Sequence, residues 1–109
     1  MSEAVFDVQW ADTARDDLAT IVRFIAEDDP AHAAIILKRL RQKSTALSRF
    51  PKRGRVVPEL HTIGIHIYRE VVTSPWRIVY RIDSQMVSIL AVLDSRRDLQ
   101  DLLLQRLIY

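Results

Sequence analysis

Five arginines are the residues of this chain best equipped for chemistry: Arg69, Arg77, Arg81, Arg96 and Arg97. A guanidinium presents a planar fork of N–H donors that fits a phosphate or a carboxylate. The plainer role for the five is pairing with Glu70, Asp83, Asp94 and Asp98 across neighbouring strands, worth a few tenths of a kcal/mol each. Tyr68 is opposite Ile65 and Ile67 in the alternation, which places it on an open face beside the arginines. The histidines suit strand surface or solvent better than a metal. Only His61 and His66 are near each other, His32 is remote, and their spacing is not that of ligands. There is no cysteine, which excludes a disulfide scaffold, a thiolate zinc site and a cysteine nucleophile. Neither a metal nor another cofactor is expected.

The arginines sit in a chain of 109 residues with a net charge of only +2. That length makes one domain, residues 1–109, with enough sequence to fold unaided. The charge is unevenly spread. Residues 1–29 hold eight acids and two bases, residues 30–58 hold eight bases and no acid, and the remainder holds six of each. The middle stretch includes Lys38, Arg39, Arg41, Lys43, Lys52, Arg53 and Arg55. It makes a local positive field that attracts phosphate or an acidic protein surface. No apolar run reaches the length of a membrane span, so no membrane partner is expected. The first ten residues lack a signal-peptide core, and the cytoplasm is the expected compartment.

The elements that must position these groups can be read from periodicity. Residues 5–10 alternate, with Phe6, Val8 and Trp10 on one face, and read as a strand. Thr13 opens a helix, with Asp16 three residues on as a variant capping box. Its apolar stripe is Ala14, Leu18, Ile21, Val22 and Ile25. Asp28-Asp29-Pro30 closes this helix and opens a second, with Asp29 as N-cap and Pro30 as first helical residue. The second runs to about Arg49 with Ala33, Ile36, Leu37, Leu40 and Leu47 inside. So short a link predicts an antiparallel helical hairpin. Pro51 to Pro58 is a basic loop. Three strands follow in a meander, Ile65–Val72, Trp76–Ile82 and Met86–Leu93. In the last, Val87, Ile89, Ala91 and Leu93 share one face. Trp10, Trp76 and Tyr80 read as core aromatics. A short apolar helix from Asp98 ends the chain. The expected fold is α+β, a helical hairpin packed on one face of a four-stranded, mainly antiparallel sheet. The other face would leave Arg77, Arg81 and part of the basic loop near solvent.

The stretches Trp76-Arg-Ile-Val-Tyr-Arg-Ile-Asp, Val87-Ser-Ile-Leu-Ala-Val-Leu and Arg96-Arg97-Asp98 resemble the RelE/ParE family of bacterial type II toxin–antitoxin toxins. So do Gly54-Arg-Val-Val-Pro-Glu-Leu and Tyr68-Arg-Glu, and the likeness covers nearly the whole chain. The resemblance implies a RelE-like fold and a small cytoplasmic toxin neutralised by a cognate antitoxin. The target would be DNA gyrase in the ParE branch, or the ribosome and its messenger RNA in the RelE branch.

RelE-type toxins cut messenger RNA without metal, using the 2′-hydroxyl as nucleophile. That reaction needs a base, a cation for the transition state and an acid for the leaving oxygen. By resemblance, Arg77 and Arg96 match two catalytic arginines. The family's lysine positions fall on Tyr68 and Glu70, its tyrosine on Leu102, and Asp94 stands where many relatives carry histidine. Phosphate-binding charges are thus present and the usual proton-transfer groups replaced, which favours the gyrase-directed branch. Tyr68, Glu70, His66 or Tyr109 would be an unusual acid or base. Arg69, Arg81, Arg97, Tyr68, Lys52, Arg53 and Arg55 join Arg77 and Arg96 as candidate target or phosphate contacts. An antitoxin segment would lie on the apolar end, at Leu102, Leu103 and Leu107 with Ile108 beyond, and be drawn to Arg39 and Lys43. A homodimer or a toxin–antitoxin heterotetramer both remain open, as does a non-toxic nucleic-acid-binding domain.

Overall fold

The structure, a computed structural model, describes residues 5–107. Strand β1 (Asp7–Trp10) alternates exposed and half-buried residues, with Val8 and Trp10 turned inward. Helix α1 (Asp12–Asp28) buries Ala14 and Leu18, and Ile21, Val22 and Ile25 pack beside them. Its start differs from the expected capping box. Ala11 is the N-cap and makes no side-chain cap bond, because Thr13 lies within the helix and its hydroxyl turns to Leu90 O at 3.4 Å. The second start is as expected. Asp29 caps α2 (Pro30–Thr45) by accepting from the His32 N–H at 3.1 Å, and a 3₁₀ turn (Ala46–Ser48) continues it. The single-residue link packs α2 back along α1.

After α2 come β2 (Arg55–Val56), α3 (Pro58–His61), β3 (Tyr68–Thr73), β4 (Trp76–Asp83), β5 (Met86–Asp94) and α4 (Leu99–Leu107). The sheet has five strands in the order β1-β5-β4-β3-β2. β1 runs parallel to β5 with Val8 opposite Val87, and the other pairings are antiparallel. The strand beyond the expected four is β2, whose two residues pair with Glu70 and Arg69. β3 begins at Tyr68 rather than Ile65. The Ile65 N–H bonds back to Leu60 O at 2.9 Å, and Gly64 takes φ +85°, so residues 62–67 close α3 as a turn.

The register of β4 against β5 slips between Val79, opposite Ala91, and Tyr80, opposite Ile89. Leu90 is left unpaired as a bulge, and the strand changes face there. Val87 and Ile89 therefore join Ile78 and Tyr80 under α1 and α2. Ala91 and Leu93 join Val79 on the opposite side, where straight alternation would have placed all four together. That opposite side carries a second core of Val57, Leu60, Tyr68, Val79, Ala91, Leu93, Leu99 and Leu103. Both faces of the sheet are covered: α1 and α2 on one, α3 and α4 on the other. The open second face expected from the sequence does not exist. Among the described residues, no helix is long and apolar enough to cross a membrane.

Candidate functional site

Arg77 was expected near solvent and is 5% exposed. It is on β4 opposite Val72 of β3, on the face that α3 closes. Glu59 of α3 takes its two terminal nitrogens at 2.6 Å each, and Glu70 takes Nε at 2.6 Å. Arg55 binds the other oxygen of Glu70 at 2.8 Å. The result is a chain Arg55–Glu70–Arg77–Glu59 joining β2, β3, β4 and α3. Hydrogen bonds from Arg77 pull the Glu59 carboxyl below its ordinary range. Glu59 in turn raises the Arg77 guanidinium further above its ordinary value. All three nitrogens of the Arg77 fork are engaged by carboxylates. Glu70, at one of the family's lysine positions, is 1% exposed, with one oxygen held by Arg55 and the other by Arg77.

The other candidates separate. Tyr68 is buried in the second core instead of lying on an open face. Arg81 pairs with Asp83 at 2.8 Å on the surface. Arg69 donates to Gly54 O at 2.7 Å and so pins β2. Lys52 and Arg53 are exposed, while Arg55 belongs to the Glu70 network. Leu103, expected at an antitoxin surface, is fully buried because α4 turns it into the second core. Leu102 and Leu107 are half-buried, Arg39 is exposed and Lys43 half-buried. His66 lies in the turn before β3, its ring edge-on to His61 at 4.6 Å. Among the described residues, no group of three or more His, Cys, Asp or Glu could hold a metal. Ile108 and Tyr109 lie outside the described residues.

Arg96, Arg97 and Leu102 come together in a cleft of about 480 Å³ between α1 and α4, beside the end of β5. Asp94 holds Arg96 through Nε at 2.9 Å and Nη2 at 2.6 Å, and these bonds bring the Asp94 carboxyl down to about 2. On the α1 side, Arg106 reaches Asp17 at 2.9 Å, and Asp17 also accepts from the Val92 N–H at 3.0 Å. Trp76 lines the cleft, and its indole N–H is buried without a partner. Phe24, 71% exposed, stands at the wall. Sequence reasoning did not find Asp17, Phe24, Trp76 or Arg106 as site residues. Phe24 carried a signal: it falls outside the apolar stripe of α1. The Asp17–Arg106 pair spans almost the whole chain and has no local signature. The cleft brings together the Asp94–Arg96 and Asp17–Arg106 pairs and the aromatic surface of Phe24 and Trp76.

The chain is similar in fold to a chain of the chromosomal ParDE toxin–antitoxin system from P. aeruginosa, with TM-score 0.69 and 16% identity over 84% of this chain and 97% of that one. It is also similar to a chain of the toxin–antitoxin complex RelBE2 from Mycobacterium tuberculosis, with TM-score 0.60 and 25% identity over 85% of this chain and 94% of that one. No curated protein sequence matches significantly. A family model described as the ParE toxin of the type II toxin–antitoxin system parDE matches residues 8–99. With most of its length inside that match, and with the fold to go with it, the chain belongs to the ParE toxin family of type II toxin–antitoxin systems.

Proposed function

We propose that this toxin inhibits growth by binding DNA gyrase, as the ParE branch does, and that a cognate antitoxin neutralises it in the cytoplasm. One observation carries the preference for binding over RNA cleavage. The arginine that matches a nuclease's catalytic cation is sealed between Glu59 and Glu70. Transition-state stabilisation needs donors aimed at a site where charge develops, and this fork is already satisfied by carboxylates. Arg96 is likewise engaged by Asp94, and Leu102 has no proton to give. Ribosome-dependent cleavage would require α3 to release Glu59 before Arg77 could meet a phosphate.

The antitoxin is proposed to contact the half-buried Leu102 and Leu107 on α4 and the exposed Arg39 on α2. The target is proposed to meet the cleft at Arg96 and Arg97. The test adds purified toxin to a gyrase supercoiling and cleavage-complex assay, with a coupled translation reaction in parallel. Inhibited supercoiling or trapped cleavage complexes with translation intact are expected. Cut messenger RNA with gyrase unaffected overturns the proposal.

A further inference from the structure

A run of exposed bases lies outside both the cleft and the Arg77 network. Lys38, Arg39 and Arg41 of α2, and Lys52 and Arg53 beyond it, are exposed. They belong to the stretch with eight bases and no acid. Arg55, in the same stretch, is paired with Glu70. Lys38 and Arg41 follow one turn apart along an open groove on the flank of α2, with Gln42 and Thr45.

Past the 3₁₀ turn stands Phe50, 60% exposed. With Pro51, Lys52 and Arg53 it lines an open pocket of about 610 Å³. This loop is fixed to the sheet. The Tyr80 hydroxyl donates to Pro51 O at 2.7 Å and accepts from the Gly54 N–H at 3.0 Å. An exposed ring beside cations on an anchored loop is the arrangement on which an unpaired base stacks while its phosphates meet the charges. Preorganisation lowers the ordering cost of such contacts. The pocket side chains offer donors and apolar surface but no acceptor for a 2′-hydroxyl, the group by which a protein selects RNA over DNA.

We propose that Phe50, Lys52 and Arg53, continued by Lys38 and Arg41, form a binding surface for single-stranded DNA. One base stacks on Phe50, and the backbone follows the cations toward α2. This surface is independent of which target the toxin inhibits.

The test is fluorescence anisotropy of a labelled fifteen-residue oligothymidylate titrated with the full-length chain across a series of salt concentrations. With about four phosphates neutralised, the log–log slope against salt is about −3. Phe50→Ala weakens binding about tenfold without changing the slope, because it removes stacking and no charge. The double variant Lys52→Gln, Arg53→Gln makes the slope shallower by about 1.4. All three side chains are exposed, so both variants keep the wild-type circular dichroism and melting temperature. Arg23→Gln, exposed on α1, leaves binding unchanged. Four results each overturn the proposal: no salt-dependent binding; duplex DNA bound equally well with Phe50→Ala silent; oligouridylate bound more than tenfold tighter; or polyglutamate of equal charge displacing the oligonucleotide, which would assign the surface to an acidic protein.

Discussion

Glu70 lies diagonally across the β3–β4 ladder from Arg77 and accepts its Nε–H at 2.6 Å, both side chains sealed from water. Two charges buried this way hold each other in place, since removing one leaves the other uncompensated. Arg77→Ala is expected to destabilise the fold by about 3 kcal/mol in urea unfolding, near the low end for a broken buried pair. The loss is limited because Arg55 still binds one oxygen of Glu70. Replacing both partners, Arg77→Met with Glu70→Leu, should restore most of the stability. On the binding reading this double variant remains toxic; on the nuclease reading it does not. A single variant within about 1 kcal/mol of wild type would remove the network from any structural role.

Acid should loosen the protein in a defined window. Glu59 and Asp94 bind protons more weakly when folded, Glu59 chiefly through hydrogen bonds from Arg77 and Asp94 through those from Arg96. As pH falls, the unfolded chain takes up these protons first. The stability the two groups provide is complete above the ordinary carboxylate range and is lost on descent through it. For Asp94 the loss runs from about 3.8 down to about 2. Melting temperature is therefore expected to fall less steeply in Glu59→Gln, Asp94→Asn than in wild type between about pH 4.5 and 2. Parallel curves would show that neither pair is sensed in the folded state.

The hairpin and the meander were legible because their signals are local. Asp29-Pro30 writes a helix start into two residues, and Trp76–Asp83 alternates over its full length. What was missed depends on residues far apart. Nothing near Leu90 marks the bulge that sends Ala91 and Leu93 to the second core. Glu59 reads as an ordinary surface acid until α3 brings it onto Arg77. A sequence can place an arginine on a strand face, but not what later covers that face. The family likeness survived this error because it rests on strand patterns, whereas the residue roles rest on whether α3 and α4 leave the face open.

The two leucines at adjacent positions on α4 separate packing from recognition. Leu103 is fully buried with Leu60, Val79 and Leu93, while Leu102 is half-buried at the cleft. Leu103→Ala is expected to cost about 3 kcal/mol, the range for a cavity in a packed core. Leu102→Ala should cost about 1 kcal/mol and weaken antitoxin capture instead. Urea unfolding with antitoxin pull-down reads both effects. Equal stability losses would mean that α4 is rotated from the orientation described.

Gly54 is needed for the space it leaves empty. A Cβ there would come to 2.6 Å from the Tyr80 hydroxyl, and closer still to Glu70 O. It would force β2 away from β3 and strain three links at once: Gly54 N–H to Tyr80, Arg69 to Gly54 O, and Arg55 to Glu70. Gly54→Ala is therefore expected to cost about 3 kcal/mol, the upper range for overpacking. Gly64 makes the contrast. A Cβ there meets nothing, but its φ of +85° disfavours any side chain, so Gly64→Ala should cost only about 1 kcal/mol. Thermal unfolding of the two variants gives the order directly. If Gly64→Ala proved the more damaging, the close approach of β2 to the Tyr80 hydroxyl would not be what anchors the loop that carries Phe50.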